Sequence, residues 1–193
     1  MNQDNLFDSC SNLVTELTKM YEGWEGVGQL KNTPNRLVRM YQEFCWSPDQ
    51  IKVELDRHFR AFENGFDEML VTGPIIVWAL CPHHLLPVEL KVTIGYIPKG
   101  FVLGLSKFVR IAEVMGKRPI MQEQYSKELV SELVKRLNPK GVAVYIVGRH
   151  GCMVSRGVKQ DAPVVTSCLW GVFLDELTTR AEFFSTVGRL YNS

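Results

Sequence analysis

The chain has 193 residues, with 22 Lys plus Arg against 21 Asp plus Glu and a formal net charge of +1. That balance lacks the basic excess with which proteins grip long nucleic-acid backbones, yet it leaves room for a local cation cluster around a small anion. With 46% hydrophobic and 22% charged residues, the composition is that of a globular domain able to hold its core without disulfides, and it excludes a disordered or collagen-like chain.

In chain order, Asp4 to about Tyr21 places Leu6, Leu13, Leu17 and Met20 near one helix face, with Asp4 as N-cap. The stretch EGWEGVGQ breaks that helix. Thr33-Pro34 starts a second, through about Phe44, with proline in its first turn. Pro48 begins a third, carrying Ile51, Leu55, Phe59 and Phe62. From Glu68 the pattern turns β-like: Met69–Leu80 and Val88–Tyr96 read as strands, and Lys99-Gly100 turns into Phe101–Leu105. Ser106 is expected to cap a helix to about Lys117, and Pro119 to open another carrying Met121, Leu129, Leu133, Val134 and Leu137. Asn138 to Gly141 makes a turn into the apolar strand Val142–Val147. Val164–Phe173 is the last strand, and Thr178 to about Leu190 a closing helix.

Strands joined by short turns predict an α+β fold, an antiparallel sheet with helices on one face. Residues 1–65 read as a helical segment packing on the core, and 66–193 as the catalytic domain. The five scattered cysteines, the absence of a signal-like N-terminus and the shortness of the longest apolar stretch, Ile75 to Cys81, predict a reduced cytoplasmic compartment, with no membrane and no nucleic-acid partner.

Two clusters carry the chemistry. Cys81-Pro82-His83-His84 follows one apolar strand and His150-Gly151-Cys152 follows another. Thiolate and imidazole suit tetrahedral zinc, and Cys81, His84 and Cys152 would leave a fourth position for water, whose pKa a catalytic zinc lowers to about 7. His83 and His150 would then be free for proton transfer. From spacing alone, a structural zinc completed by Cys168 or a second histidine, and buried residues without metal, stand beside that reading. His58 reads as a surface or packing residue. Ser106, Lys107 and Arg110 at a helix start, with Arg156 after the second cluster, read as a phosphate site or as an ordinary solvated face. Gln122-Glu123 offers a carboxylate to a purine edge, or simply faces water.

The segments CPHHLLP, IGYIP, GLSKFVR, RPIMQE, GVAVYIV, HGCMVSRGV and VVTSCLWGVF, with TPNRLVRMYQEF before them, closely resemble the GTP cyclohydrolase I family. The resemblance implies the tunnelling fold, in which subunit sheets join into an oligomeric barrel. It implies a homodecamer of two pentamers with interfacial active sites. It also implies zinc-dependent conversion of GTP and water to 7,8-dihydroneopterin triphosphate and formate, for folate, pterin or deazapurine synthesis. On this resemblance Cys81, His84 and Cys152 are the Zn2+ ligands and His83 and His150 the proton-transfer pair. Glu123 holds the guanine ring, and Gln122 stands near the metal-bound water. Ser106, Lys107, Arg110 and Arg156 bind the triphosphate, and Arg36 reaches in from an adjoining subunit. Arg39 stands where the family often has lysine, which keeps charge but not geometry. Pro82, Val88, Leu90, Ile120 and Arg149 depart from the family pattern. Pro82 stiffens the ligand loop and removes a carboxylate and an N–H. Two other readings are a diverged hydrolase that only opens the purine ring, and a non-catalytic nucleotide- or pterin-binding ring.

Overall fold

Thr33-Pro34 starts a helix where the sequence places it. That helix, α2, runs Thr33–Phe44 with its proline in the first turn, where a missing N–H removes no intrahelical bond. Ahead of it lie α1 (Gln3–Met20) and a 3-10 segment, Glu25–Asn32, which takes up the glycine-rich stretch. Because α1 begins at Gln3, Asp4 lies within its first turn and is not its cap. The helix buries Cys10 and Val14 and exposes Leu13, Leu17 and Met20, so the expected apolar face is not the one covered. The computed structural model describes residues 3–63 and 65–192, in two units, Met1–Ser47 and Pro48–Ser193.

In the second unit α3 spans Pro48–His58 and stops short of Phe59 and Phe62. Phe62 instead belongs to β1 (Ala61–Glu63), which pairs antiparallel with β4 (Phe101–Leu103). The main sheet contains β2 (Leu70–Leu80), β3 (Pro87–Ile97), β5 (Gly141–His150) and β6 (Val164–Gly171). Their spatial order is β2-β3-β5-β6 and every neighbouring pair is antiparallel. Between β4 and β5 come α4 (Leu105–Met115) and α5 (Gln122–Leu137). Gly104, not Ser106, occupies the cap position of α4. Pro119 does not open α5: the next residue, Ile120, donates its N–H to Leu80 O at 3.0 Å and ties the approach to the end of β2. Asn138, in the left-handed region at φ 45°, ends α5.

Strand alternation decides what each face covers. Val88, Leu90, Val92, Ile94 and Tyr96 on β3, with Val142, Val144 and Ile146 on β5, are buried on the face that carries α4 and α5. There the Tyr96 and Phe108 rings lie 5.5 Å apart, and the buried Tyr125 hydroxyl donates to Ala112 O at 2.8 Å.

The other face is not bare, contrary to the expectation of helices on one side only. Gly95 and Ala143 pair across β3 and β5 and leave a hollow. Phe183 of α8 (Leu177–Asn192) and Phe173 of the short α7 (Val172–Asp175) fill it. A Cβ at Gly95 would stand 2.7 Å from the Phe183 ring. Each buried phenylalanine contributes about 1.5–3 kcal/mol. Between β6 and α7 the chain turns at Gly171, φ 63°, where a Cβ would lie 2.3 Å from Lys140 O. Glycine is required there for both conformation and space.

Candidate active site

Topology brings the two clusters together. As β3 runs antiparallel to both β2 and β5, the C-terminal ends of those two strands flank its start: Leu80 pairs with Pro87, and His150 pairs with Val88. Cys81 follows β2 directly. His150 ends β5, and Cys152 sits in the one-turn helix α6 (Gly151–Val154). Gly151 allows that approach, since a Cβ there would lie 2.6 Å from Pro87 O.

The loop from Cys81 to Leu86 closes on itself. Cys81 N–H donates to Leu86 O at 2.9 Å and Leu85 N–H to Cys81 O at 2.8 Å, with Leu85 left-handed at φ 52°. Pro82 takes the first corner of this turn, a position for which its fixed φ is suited.

Cys81 Sγ stands 3.6 Å from His84 Nδ1 and 3.9 Å from His83 Nδ1. The ligand atoms of Cys81, His84 and Cys152 all lie within 4.8 Å of one another. Zinc bonds of about 2.3 Å to sulfur and 2.0–2.1 Å to nitrogen, at the tetrahedral angle, need an S···N edge of about 3.6 Å. The donor set and its spacing therefore fit a metal ion. Burial and the neighbouring Cys81 thiol push the Cys152 thiol up, with Arg156 pulling it down.

On the α5 side, the buried Gln122 accepts from His150: its Oε1 lies 2.9 Å from His150 Nε2. Its Nε2 donates to Val164 O at 3.0 Å, to Thr166 Oγ1 at 3.1 Å and, at longer range, to Ile146 O at 3.4 Å. Burial lowers the His150 imidazole pKa, and the charge of Glu123, exposed in the first turn of α5, opposes it.

Ser106, Lys107 and Arg110 occupy the first two turns of α4, Ser106 and Arg110 exposed and Lys107 half-buried. Arg156 is exposed just beyond α6. Arg36 and Arg39 are exposed on α2 in the first unit. Of the two readings of His58, surface or packing, it is the packing one that holds. The residue is 7% exposed, and burial lowers its pKa, helped by the charges of Lys107 and Arg110 and opposed by that of Glu54.

The sequence signature of GTP cyclohydrolase I matches residues 11–188. The chain belongs to the GTP cyclohydrolase I family. Among its relatives, the protein named GTP cyclohydrolase 1 of Aquifex aeolicus is 42% identical over 174 residues, covering 84% of this chain and 90% of that one. The GTP cyclohydrolase 1 of Carboxydothermus hydrogenoformans is 39% identical over 162 residues, 82% and 83% of the two chains. That of Dictyostelium discoideum is 39% identical over 178 residues, 92% and 76%. As a member of an enzyme family, the chain gathers Cys81, His83, His84, His150, Cys152 and Gln122 around the sheet end where β2 and β5 finish, whereas Ser106, Lys107 and Arg110 open α4 beyond the opposite end of β3, where Phe108 packs on Tyr96. Sequence reasoning overlooked the groups behind the first set: Ser126, Gly148 and Thr166, which pack around Gln122. Only strand alternation, carried from β5 to β6, could have placed Thr166 on that face.

Proposed function

We propose that the chain is a zinc-dependent GTP cyclohydrolase that converts GTP and water to 7,8-dihydroneopterin triphosphate and formate. The observation that carries this reading is the convergence of Cys81, His84 and Cys152 ligand atoms within 4.8 Å. Bound there, zinc would supply Lewis acidity and a lowered pKa for water.

The chain's own residues supply the rest. Glu123 accepts the N–H edge of the guanine. Arg156, beside the cradle, and the Ser106 hydroxyl, Lys107 and Arg110 at the N-terminal end of an adjoining subunit's α4 together hold the triphosphate, and the backbone N–H groups of that helix end also favour an anion. Binding at the phosphates holds the purine still through several bond changes, so remote contacts lower later barriers. His83 and His150 flank the cradle and move protons as the imidazole ring opens, as C8 leaves as formate and as the ribose carbons close onto the exposed amines.

The same reading makes the active protein a homo-oligomer of the tunnelling fold, a decamer of two pentamers in a cytoplasmic compartment, with Arg36 and Arg39 serving a neighbouring subunit's site. Support comes from the sheet: β2 and β6 are its outer strands, and Ile76, Trp78, Val165 and Trp170 on them are exposed. Among the described residues no helix is long and apolar enough to cross a membrane. The residues 66–193 form the catalytic domain.

The test is formate release from GTP by metal-replete and chelator-treated protein, with His83→Ala as control. Metal-dependent formate and a pterin product, both lost in the variant, are expected. Folded, metal-loaded protein that releases no formate would overturn the reading.

A further inference from the structure

The hydrogen bonds around Gln122 have only one consistent direction. Ser126 Oγ donates its proton to Gln122 O at 2.9 Å. The 3.0 Å contact between Ser126 and Thr166 hydroxyls must then use the Thr166 proton, and Thr166 Oγ1 is left to accept. It accepts from the Gln122 amide at 3.1 Å, while Val164 O, which can only accept, takes that amide's other proton at 3.0 Å. Turning the amide over would set its oxygen against two carbonyl oxygens and a hydroxyl whose proton is committed elsewhere. The side chain is 2% exposed, so water cannot relieve that conflict. Gln122 therefore presents Oε1, an acceptor, to His150 Nε2 at 2.9 Å.

We infer that Gln122, oriented by Thr166 and Val164, is a positioning residue that keeps the proton of the neutral His150 ring on Nε2 and so makes Nδ1 the working nitrogen. This rests on the reading of His150 as a proton-transfer group. A histidine ring held by one fixed acceptor has its tautomer chosen for it, and here the acceptor is itself fixed by a closed loop of donors through Gln122, Thr166 and Ser126. Gly148 gives independent support. It pairs within the β5 ladder without a left-handed backbone, so it needs glycine only for space. A Cβ there would stand 2.0 Å from Gln122 Oε1 and 3.0 Å from His150 Nε2. The strand is cleared at a position where a side chain would part the pair.

The test uses full-length, metal-loaded protein carrying 15N-labelled histidine, studied by solid-state NMR of the sedimented oligomer at a pH where imidazoles are neutral. The chain has four histidines, and a His150→Asn sample identifies the relevant signals. Wild type is expected to show a protonated Nε2 and a bare Nδ1 at His150. Gln122→Met should mix the tautomers and lower kcat about ten- to a hundredfold, the range for groups that orient a reacting residue, with KM for GTP within about twofold. Thr166→Val should move both readouts the same way by less, and Thr166→Ser should restore them. A wild-type proton on Nδ1, or Gln122→Met protein with the wild-type spectrum and kcat, would overturn the inference. A rise in KM without loss of kcat would also overturn it, since that marks a substrate contact. Failure of the underlying reading has a different signature: no GTP turnover in wild type, with the nitrogen signals still deciding the tautomer.

Discussion

Cys81 Sγ and His84 Nδ1 stand 3.6 Å apart across a single turn, the edge length of a zinc tetrahedron, while Cys152 closes on them from the end of a strand two places away in the sheet. One ligand pair is local and the third depends on the register of β3 against both neighbours.

Removing the distant ligand should therefore empty the site while leaving the turn intact. Cys152→Ala protein is expected to lose its metal, measured by elemental analysis per protomer, and its activity should fall by more than the roughly hundredfold that loss of outer-sphere partners reaches. Retention of metal at the wild-type ratio would show that Cys152 is not a ligand.

If the α4 terminus binds the triphosphate, Lys107→Met and Arg110→Met should each raise KM for GTP by about ten- to a hundredfold, the equivalent of about 1.5–3 kcal/mol for a hydrogen bond to a charged group. The effect should weaken for guanosine substrates with fewer phosphates. Equal losses on all of them would assign these cations to folding instead.

His58 predicts a pH dependence of stability. Burial first, and then Lys107 and Arg110, hold its pKa below the ordinary value of 6.5, against the pull of Glu54. The unfolded chain then binds the proton more readily than the native one, so this contribution is complete above about pH 6.5 and is lost as pH falls toward the native pKa. Urea midpoints should fall more steeply with acid for wild type than for His58→Met. Parallel curves would remove His58 from the account.

At Gly171, φ 63° and the nearby Lys140 carbonyl predict that alanine costs about 1–3 kcal/mol in backbone strain, before any shift of Lys140. Chemical denaturation of Gly171→Ala should show it. A midpoint within error of wild type would mean that the β6–α7 turn can relax.

The strands and most helices were legible because their periods are strong: Val88–Tyr96 and Val142–Val147 alternate or run apolar over enough residues to have no helical alternative. The cradle was legible too, since Cys81-Pro82-His83-His84 puts chemistry at a strand end. What was not legible depends on partners far along the chain. Gly95 and Ala143 read as weak strand residues, and only their pairing makes a hollow for Phe183. Ser106 reads as a cap until Leu105 is seen to belong to the helix. Pro119 resembles a helix start, but the Ile120 N–H is engaged by Leu80. Thr166 is an ordinary strand threonine until Gln122 points at it.

The self-closed loop from Cys81 to Leu86 has a consequence for how the protein would live with a metal. Cys81 and His84 are set within one hydrogen-bonded turn and Cys152 follows directly on the β5 ladder, so the three donors converge through the fold's own bonds. On the proposed reading a bound metal would add stability by mass action, rising with the logarithm of its free concentration, and chelation is expected to leave the protein folded. Occupancy would then follow the supply of metal over the protein's lifetime and would not be decided once at folding. Short of such an ion, the protein would persist as a silent reserve.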